Sequence, residues 1–450
     1  MIPTRGPGGS SSPKLGPWRP SVAWYVMCTL LVLNLLNSEI VTGPLWGGCA
    51  KEPANGGVVG VRVTGSQGRS QTLHISPELE RAWDEYAARH RASLEAPREH
   101  KFFLYKPFHY TGHGNKIPGI VTAFMVALLS NRTLVIDYND CAGGVNCEIS
   151  WSRMFDQPLE MDFANLVRDY PAVNETLKGK RFESGDASHI NFLVDHRERL
   201  SKWDGLQWVW SDGLYDWSAH LWLASPIHGP SLRPLFTPGH IFHALAHFLV
   251  HPTLEIQDVV AAARARFRKL TIGVQIRQTK VDHWEPGTYT DRSYFDLARV
   301  LQLREGVADN DTAIYLAADS VAVRNAWVKH LENTSIALLM QPEDAVFDSG
   351  GKEGLNRDNL PGLKIGVAEL FLLSHTHQLI ISRGSSFGST AAALGGLYPW
   401  VITQDGYYGS AISDPCCSHT RWLEKVFGAD FSPEFFIQTQ CHVDPLTKGE

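Results

Sequence analysis

The chain has 450 residues, 44% of them hydrophobic and 20% charged, with a formal net charge of −6. That length exceeds one average domain and suits two, so a large buried core is available. A mildly acidic chain lacks the basic face that nucleic acid requires, so nucleic acid is excluded as the expected partner.

Residues 1–20 are rich in Gly, Ser and Pro and read as a disordered cytosolic tail. Residues 21–36 carry no charge, and a polar extension takes the segment to 41, between a signal-peptide core and a full span of about 20 residues. Arg5, Lys14 and Arg19 precede it without an acid, which keeps the N-terminus cytosolic and sends the remainder to the lumen. A single-pass type II Golgi anchor over 21–41 is therefore expected; a cleaved signal peptide, for which Val41-Thr42-Gly43 offers small residues, is the alternative. Apart from Cys28, the cysteines are Cys49, Cys141, Cys147, Cys416, Cys417 and Cys441, an even set suited to disulfides whose pairing stays open. Sequons for N-glycosylation stand at Asn131, Asn174, Asn310 and Asn333.

Residues 42–100 read as a Gly-rich stem followed by a charged surface helix over 77–100. Next, 102–105 is an apolar strand, 117–130 an apolar helix and 133–138 a buried strand, the opening of a parallel sheet with helices packed on it. The Trp-rich stretch 151–234 has weak periodicity, and its tryptophans serve either as core or, less expectedly, as sugar-stacking platforms. Regular alternation returns with helices at 238–250 and 253–267, strand 269–277, helix 294–304, strand 313–319, helix 321–331 and strand 335–340. It continues with helix 363–375, strand 378–383, helix 388–394 and strand 399–402. This spacing specifies a doubly wound α/β domain. The folded body thus divides into an N-terminal lobe, 101–237, and a C-terminal lobe, 238–450.

In an open parallel sheet, ligands bind outside the carboxyl ends of the strands. Four such ends are chemically suggestive. Gly112-His113-Gly114-Asn115-Lys116 lets backbone approach a ligand at a helix start, though taken alone a plain tight turn is the favoured reading. Arg277 closes an apolar strand with a fork that fits phosphate, or a structural ion pair. Asp319 offers a carboxylate to the N1–H and amino group of guanine, or caps a helix. Ser385-Ser386-Phe387-Gly388-Ser389-Thr390 supplies hydroxyls and helix-start N–H groups for a diphosphate, or an ordinary capping turn. Together they point to a nucleoside diphosphate ligand.

Longer segments carry a resemblance. GHGNKIPGIVTAFMVALLSNRTLVIDY, HALAHFLVHPTLEIQDVV followed by IGVQIR, AELFLLSHTHQLIISRGSSFGSTAAALGGLYPWVI and SDPCCSH are, in order, similar to the motifs of the plant xyloglucan α-1,2-fucosyltransferase family. Lys116 stands where the family has Arg, Ser386 where it has Thr, and the loop after Arg277 does not follow its pattern. The resemblance implies a GT-B fold of two Rossmann-like lobes facing a cleft, GDP-fucose as donor, a glycan acceptor, inversion at the anomeric carbon and no required metal or other cofactor. It is compatible with a homodimer.

On this reading Arg277, Gln275 and Ser385 to Gly388 stabilise the diphosphate, Asp319 reads guanine, and Gly114, Asn115 and Lys116 border the donor from the other lobe. Transfer also needs a base for the acceptor hydroxyl. His113, Asp282 and Glu285 are the candidates by proximity in sequence to the donor loops. Asp309-Asn310-Asp311 imitates a metal-binding pair of aspartates, but it precedes its strand and encloses a sequon, so it reads as a solvent loop. Other acceptors, protein O-linked or other glycans, are the alternative within the superfamily; a catalytically silent glycan-binding scaffold is the alternative outside it.

Overall fold

The computed structural model describes residues 75–108, 111–139, 141, 148–177, 203–212, 228–236, 240–277, 291–341, 360–403 and 406–409. The expected tail, the apolar segment 21–41 and the stem to residue 74 lie outside the described residues, as do Asp282, Glu285 and every cysteine except Cys141. Every described element belongs to residues 65–450. Among the described residues no helix is long and apolar enough to cross a membrane.

Apolar runs buried on both faces become parallel strands, as expected where helices cover a sheet on each side. The smaller sheet has the order β2–β1–β4, with β1 at Phe102–Lys106, β2 at Thr133–Ile136 and β4 at Trp208–Asp212; both pairings are parallel. A two-residue antiparallel pair joins β3, Phe155–Asp156, to β5, His251–Pro252. The larger sheet runs β11–β10–β9–β6–β7–β8. Its strands are β6, Leu270–Ile276; β7, Thr312–Ala318; β8, Ala337–Leu339; β9, Gln378–Ser382; β10, Trp400–Thr403; and β11, Gly406–Gly409. All its pairings are parallel except that of the edge strand β11.

The helices are α1, Pro77–Glu95; α2, His113–Leu129; α3, Phe163–Asp169; α4, Pro171–Leu177; α5, Ile241–Leu249; α6, Leu254–Arg264; α7, Asp291–Glu305; α8, Val321–Leu331; α9, Leu360–Ser374; and α10, Ser386–Gly395. Alternation along β6 sorts the layers. Leu270, Ile272, Val274 and Ile276 pack with Tyr294 and Leu301 of α7 and Trp327 of α8. The opposite face of the sheet packs on a second core that α2, α5, α9 and α10 share with one face of the smaller sheet. The other face of the smaller sheet is covered by α3 and α4. The two sheets thus share a central helical layer, and the sites at their edges are held rigidly through it.

Three features differ from the sequence reading. Helix α1 is not wholly solvated: Leu79, Tyr86, Ala87 and His90 are buried, Tyr86 beside Phe124 of α2, so this charged segment closes the core of the smaller sheet. The Trp-rich stretch yields β4, with Trp208 stacked on Phe102 at 4.3 Å and Trp203 buried against Phe103. These tryptophans are core; Trp217 and Trp222 lie outside the described residues. Helix α2 begins four residues earlier than expected, at His113, with Pro118 inside it.

Candidate functional site

Strand order locates the site. From β6 the chain crosses to β7 and β8 on one side, whereas β9 and β10 lie on the other, so the order reverses between β6 and β9. Such a switch point splits the crossovers and opens a crevice at the strands' carboxyl ends. There β6 ends in Gln275, Ile276 and Arg277, and β9 leads through Ser382 to Ser385 and helix α10. Ser382 ties the two strands: its Oγ accepts the Arg277 backbone N–H at 2.9 Å, lies 2.8 Å from Tyr294 Oη and 3.3 Å from the Gln275 carbonyl. The smaller sheet also reverses at β1, between β2 and β4, and β1 leads into α2.

The N-termini of α2 and α10 meet. A Cβ on Gly114 would lie 2.5 Å from Phe387 N and 2.7 Å from its Cα, so only glycine permits this approach of backbone to backbone. Pro118 adds a second element to the contact. It has no N–H to donate to the carbonyl four residues earlier, which is that of Gly114. That oxygen instead accepts the Thr390 hydroxyl of α10 at 2.9 Å. Neither helix has an acidic residue in its first turn or a side-chain cap. Two positive helix ends therefore converge without a neutralising carboxylate from their own first turns, an arrangement suited to an anion.

Polar groups around the meeting point are buried without protein partners. Ser385 takes the N-cap position of α10 yet makes no capping bond, and its Oγ has no partner although the residue is 1% exposed. Gln275 Oε1 is likewise buried and unpartnered, on the strand face that meets α10; a Cβ on Gly388 would come within 2.6 Å of it. Ser386 and Phe387 are half-buried in the first turn. Buried polar atoms are rarely left without partners, and at a helix start they mark a place where a ligand supplies the missing bonds.

The residues of the smaller sheet are held as follows. His113 Nδ1 lies 2.6 Å from Tyr138 Oη and Nε2 lies 2.9 Å from the Leu363 carbonyl of α9, so both ring nitrogens bridge the two sheets' helices. An imidazole engaged at both nitrogens is poorly placed to accept an acceptor proton, and the geometry gives His113 a positioning role. Lys116 is buried, with Nζ 3.3 Å from the Tyr138 carbonyl and 4.3 Å above its ring. Asn115 is half-buried in the first turn of α2. Asp137, at the end of β2, pairs with Lys106 at 3.7 Å.

Asp319 follows β7 at the carboxyl edge and is half-buried; Ser320, not Asp319, takes the N-cap position of α8. Behind it is a group that sequence reasoning missed. Arg324 of α8 donates to the Ala318 carbonyl at 3.3 Å and the Gln341 carbonyl at 3.0 Å, pinning the ends of β7 and β8, and lies 3.7 Å from Glu369 of α9. Burial pushes the Glu369 carboxyl up to about 7 despite Arg324, and raises the Tyr315 hydroxyl further, with Glu369 adding to the effect. Ser382 was missed as well. The apolar strand that carries it was visible, but no local signal tells which hydroxyl faces the neighbour.

Asp309 lies at the amino end of β7, away from these groups, with its carboxylate held below the usual range by Gln302 and by Arg299 at 2.9 Å. Among the described residues no cluster of three or more His, Cys, Asp or Glu is arranged to hold a metal ion.

Comparison with known proteins agrees with this arrangement. Residues 322–436 match the family model of xyloglucan fucosyltransferase. Fucosyltransferase 6 of Arabidopsis thaliana is 24% identical over 384 residues, 75% of this chain and 65% of that protein. The galactoside 2-alpha-L-fucosyltransferase of the same plant is 25% identical over 380 residues, 73% of this chain and 63% of that protein. Over these segments the chain is similar to plant fucosyltransferases. The matched segment spans somewhat less than two thirds of these relatives' own length. A point variant of FUT1 from Arabidopsis thaliana, solved in complex with GDP, superimposes with a TM-score of 0.55 at 18% identity, covering 77% of this chain and 85% of that one. The α/β fold with two parallel sheets is therefore the GT-B-like fold of that solved structure.

Proposed function

We propose that this protein transfers fucose from GDP-fucose to a hydroxyl of a plant-type glycan, with xyloglucan α-1,2-fucosylation as the favoured reaction. The observation that carries the reading is the meeting of α2 and α10 at the strand-order reversal, with Ser385 Oγ and Gln275 Oε1 buried and unpartnered beside it. A departing diphosphate gains one negative charge as the bond from C1 of the sugar to the phosphate oxygen breaks, so preorganised N–H groups and a guanidinium lower that barrier more than they favour the ground state. Arg277 and the first turn of α10 are assigned to the diphosphate, Asp319 to guanine, and Gly114, Asn115 and Lys116 to the opposite wall. His113 holds α2 against α9 rather than taking the proton; Asp282 is retained as the base. The apolar segment 21–41 is assigned as the anchor that places this body in the Golgi lumen.

The test is turnover of radiolabelled GDP-fucose by the full chain in detergent, against xyloglucan, arabinogalactan, N-glycan and protein acceptors, with Arg277→Ala in parallel. Transfer to xyloglucan that falls at least 100-fold in the variant, without a change in melting temperature, is expected. Transfer only to another acceptor overturns the xyloglucan assignment, and an unimpaired variant overturns the role of Arg277.

A further inference from the structure

The four sequons are not absorbed by the reading above, and their placement in the fold is not random. Asn131 ends the turn from α2 and stands two residues before β2. Asn310 lies in the single turn, Asp309–Asp311, that precedes β7. Asn333 follows α8 and stands four residues before β8. Asn174 lies in α4, whose Thr176 hydroxyl accepts the indole N–H of Trp208, the first residue of β4, at 2.9 Å. All four therefore sit at the amino-terminal edges of the two parallel sheets, whereas Arg277, Asp319 and Ser385 stand at the carboxyl edge of the larger one and α2 begins at that of the smaller. Asn131, Asn310 and Asn333 are exposed, and Asn174 is half-buried. Asn131 adopts φ 55°, a left-handed turn conformation that asparagine tolerates better than most residues.

We propose that Asn131, Asn310 and Asn333 are N-glycosylation sites, and that their glycans project from the edges remote from the donor site. The side-chain amide nitrogen displaces the diphosphate of a lipid-linked oligosaccharide: the N–C1 bond forms, the C1–O bond breaks, the lipid diphosphate leaves and the amide loses one proton. Timing follows from burial. The Thr133 and Thr312 side chains of two of these sequons are sealed in the sheets, at 1% and 0% exposure, so the transferase must read them before the strands close. The exposed asparagines then leave the bulky, solubilising glycan on the surface after folding.

The experiment expresses the full chain in a plant secretory host, treats the folded protein with peptide N-glycosidase in 18O-labelled water, and maps the asparagines converted to labelled aspartate. Conversion at Asn131, Asn310 and Asn333, with GDP retention unchanged by deglycosylation of the folded protein, is the expected result. Absence of conversion at any of the three, or GDP retention that changes at least threefold when the glycans are removed, overturns the proposal. Because the map needs no turnover, it separates this inference from the assigned reaction. Single Asn→Gln variants supply the mobility steps, and where one fails to fold the wild-type map decides.

Discussion

Replacing Gly114 by Ala tests the meeting of the two helix starts. By helix propensity alone the change should stabilise α2 by up to about 1 kcal/mol. The added Cβ, however, would stand 2.5 Å from Phe387 N, about 0.9 Å inside the 3.4 Å at which ordinary van der Waals contact begins, with Phe387 Cα at 2.7 Å and the Ser386 carbonyl carbon at 2.8 Å. All three are backbone atoms, so relief requires α2 and α10 to separate rather than a side chain to rotate. Overpacking of this kind costs roughly 1–3 kcal/mol. A displacement near 1 Å at a donor site reduces turnover on the order of 100-fold. The assay pairs differential scanning calorimetry with GDP-fucose kinetics, and Gly112→Ala, whose Cβ would meet nothing within 4 Å, serves as control. We expect Gly114→Ala to melt several degrees lower and to lose turnover, while the control keeps both. A Gly114→Ala protein as stable and active as the wild type would refute the packing argument.

Thr390→Val keeps the shape of the side chain but removes the bond to the Gly114 carbonyl; a loss of about 1 kcal/mol by chemical denaturation is expected. Arg132, 1% exposed, donates to the carbonyls of Phe102, Trp203, Leu206 and Gln207, and burial lowers its pKa to about 10. Arg132→Met leaves those oxygens without their donor, and a loss of roughly 3–5 kcal/mol, read as a collapse in folded yield, should follow. Glu369 has a folded pKa above its unfolded value, so its contribution to stability is present below about 4.5 and is lost as pH rises through about 7. Glu369→Gln should therefore gain melting temperature relative to wild type between pH 5 and pH 8; a difference independent of pH would contradict the assignment.

Much of the larger sheet was legible because its strands are buried on both faces and read as short apolar runs between amphipathic helices. Helix α8 was placed at its observed bounds, and the ends of β6 and β9 stood out because Arg277 and the Ser-Ser-Phe-Gly turn interrupt apolar sequence. Strand β4 was hidden because its placement depends on Trp208 against Phe102 and on the carbonyls gathered by Arg132, contacts far apart in the chain. The apolar run suggested a helix beginning at residue 117, yet α2 starts at His113 and Pro118 sits a turn inside it, where its missing N–H releases the Gly114 carbonyl to Thr390. That bond spans 276 residues, and no local pattern announces it. The same holds for Arg324 and Glu369, whose pairing depends on α8 and α9 being brought together by the folded sheet.

The measurement that bears most directly on the central claim is calorimetric titration of GDP into the full chain and into Arg277→Ala, without added divalent cation. Saturable binding by the wild type, weakened at least tenfold in the variant while its melting temperature is kept, is the predicted result. Equal affinity in the two proteins, or no binding by the wild type, would contradict the assignment of the diphosphate to Arg277 and the converging helix starts.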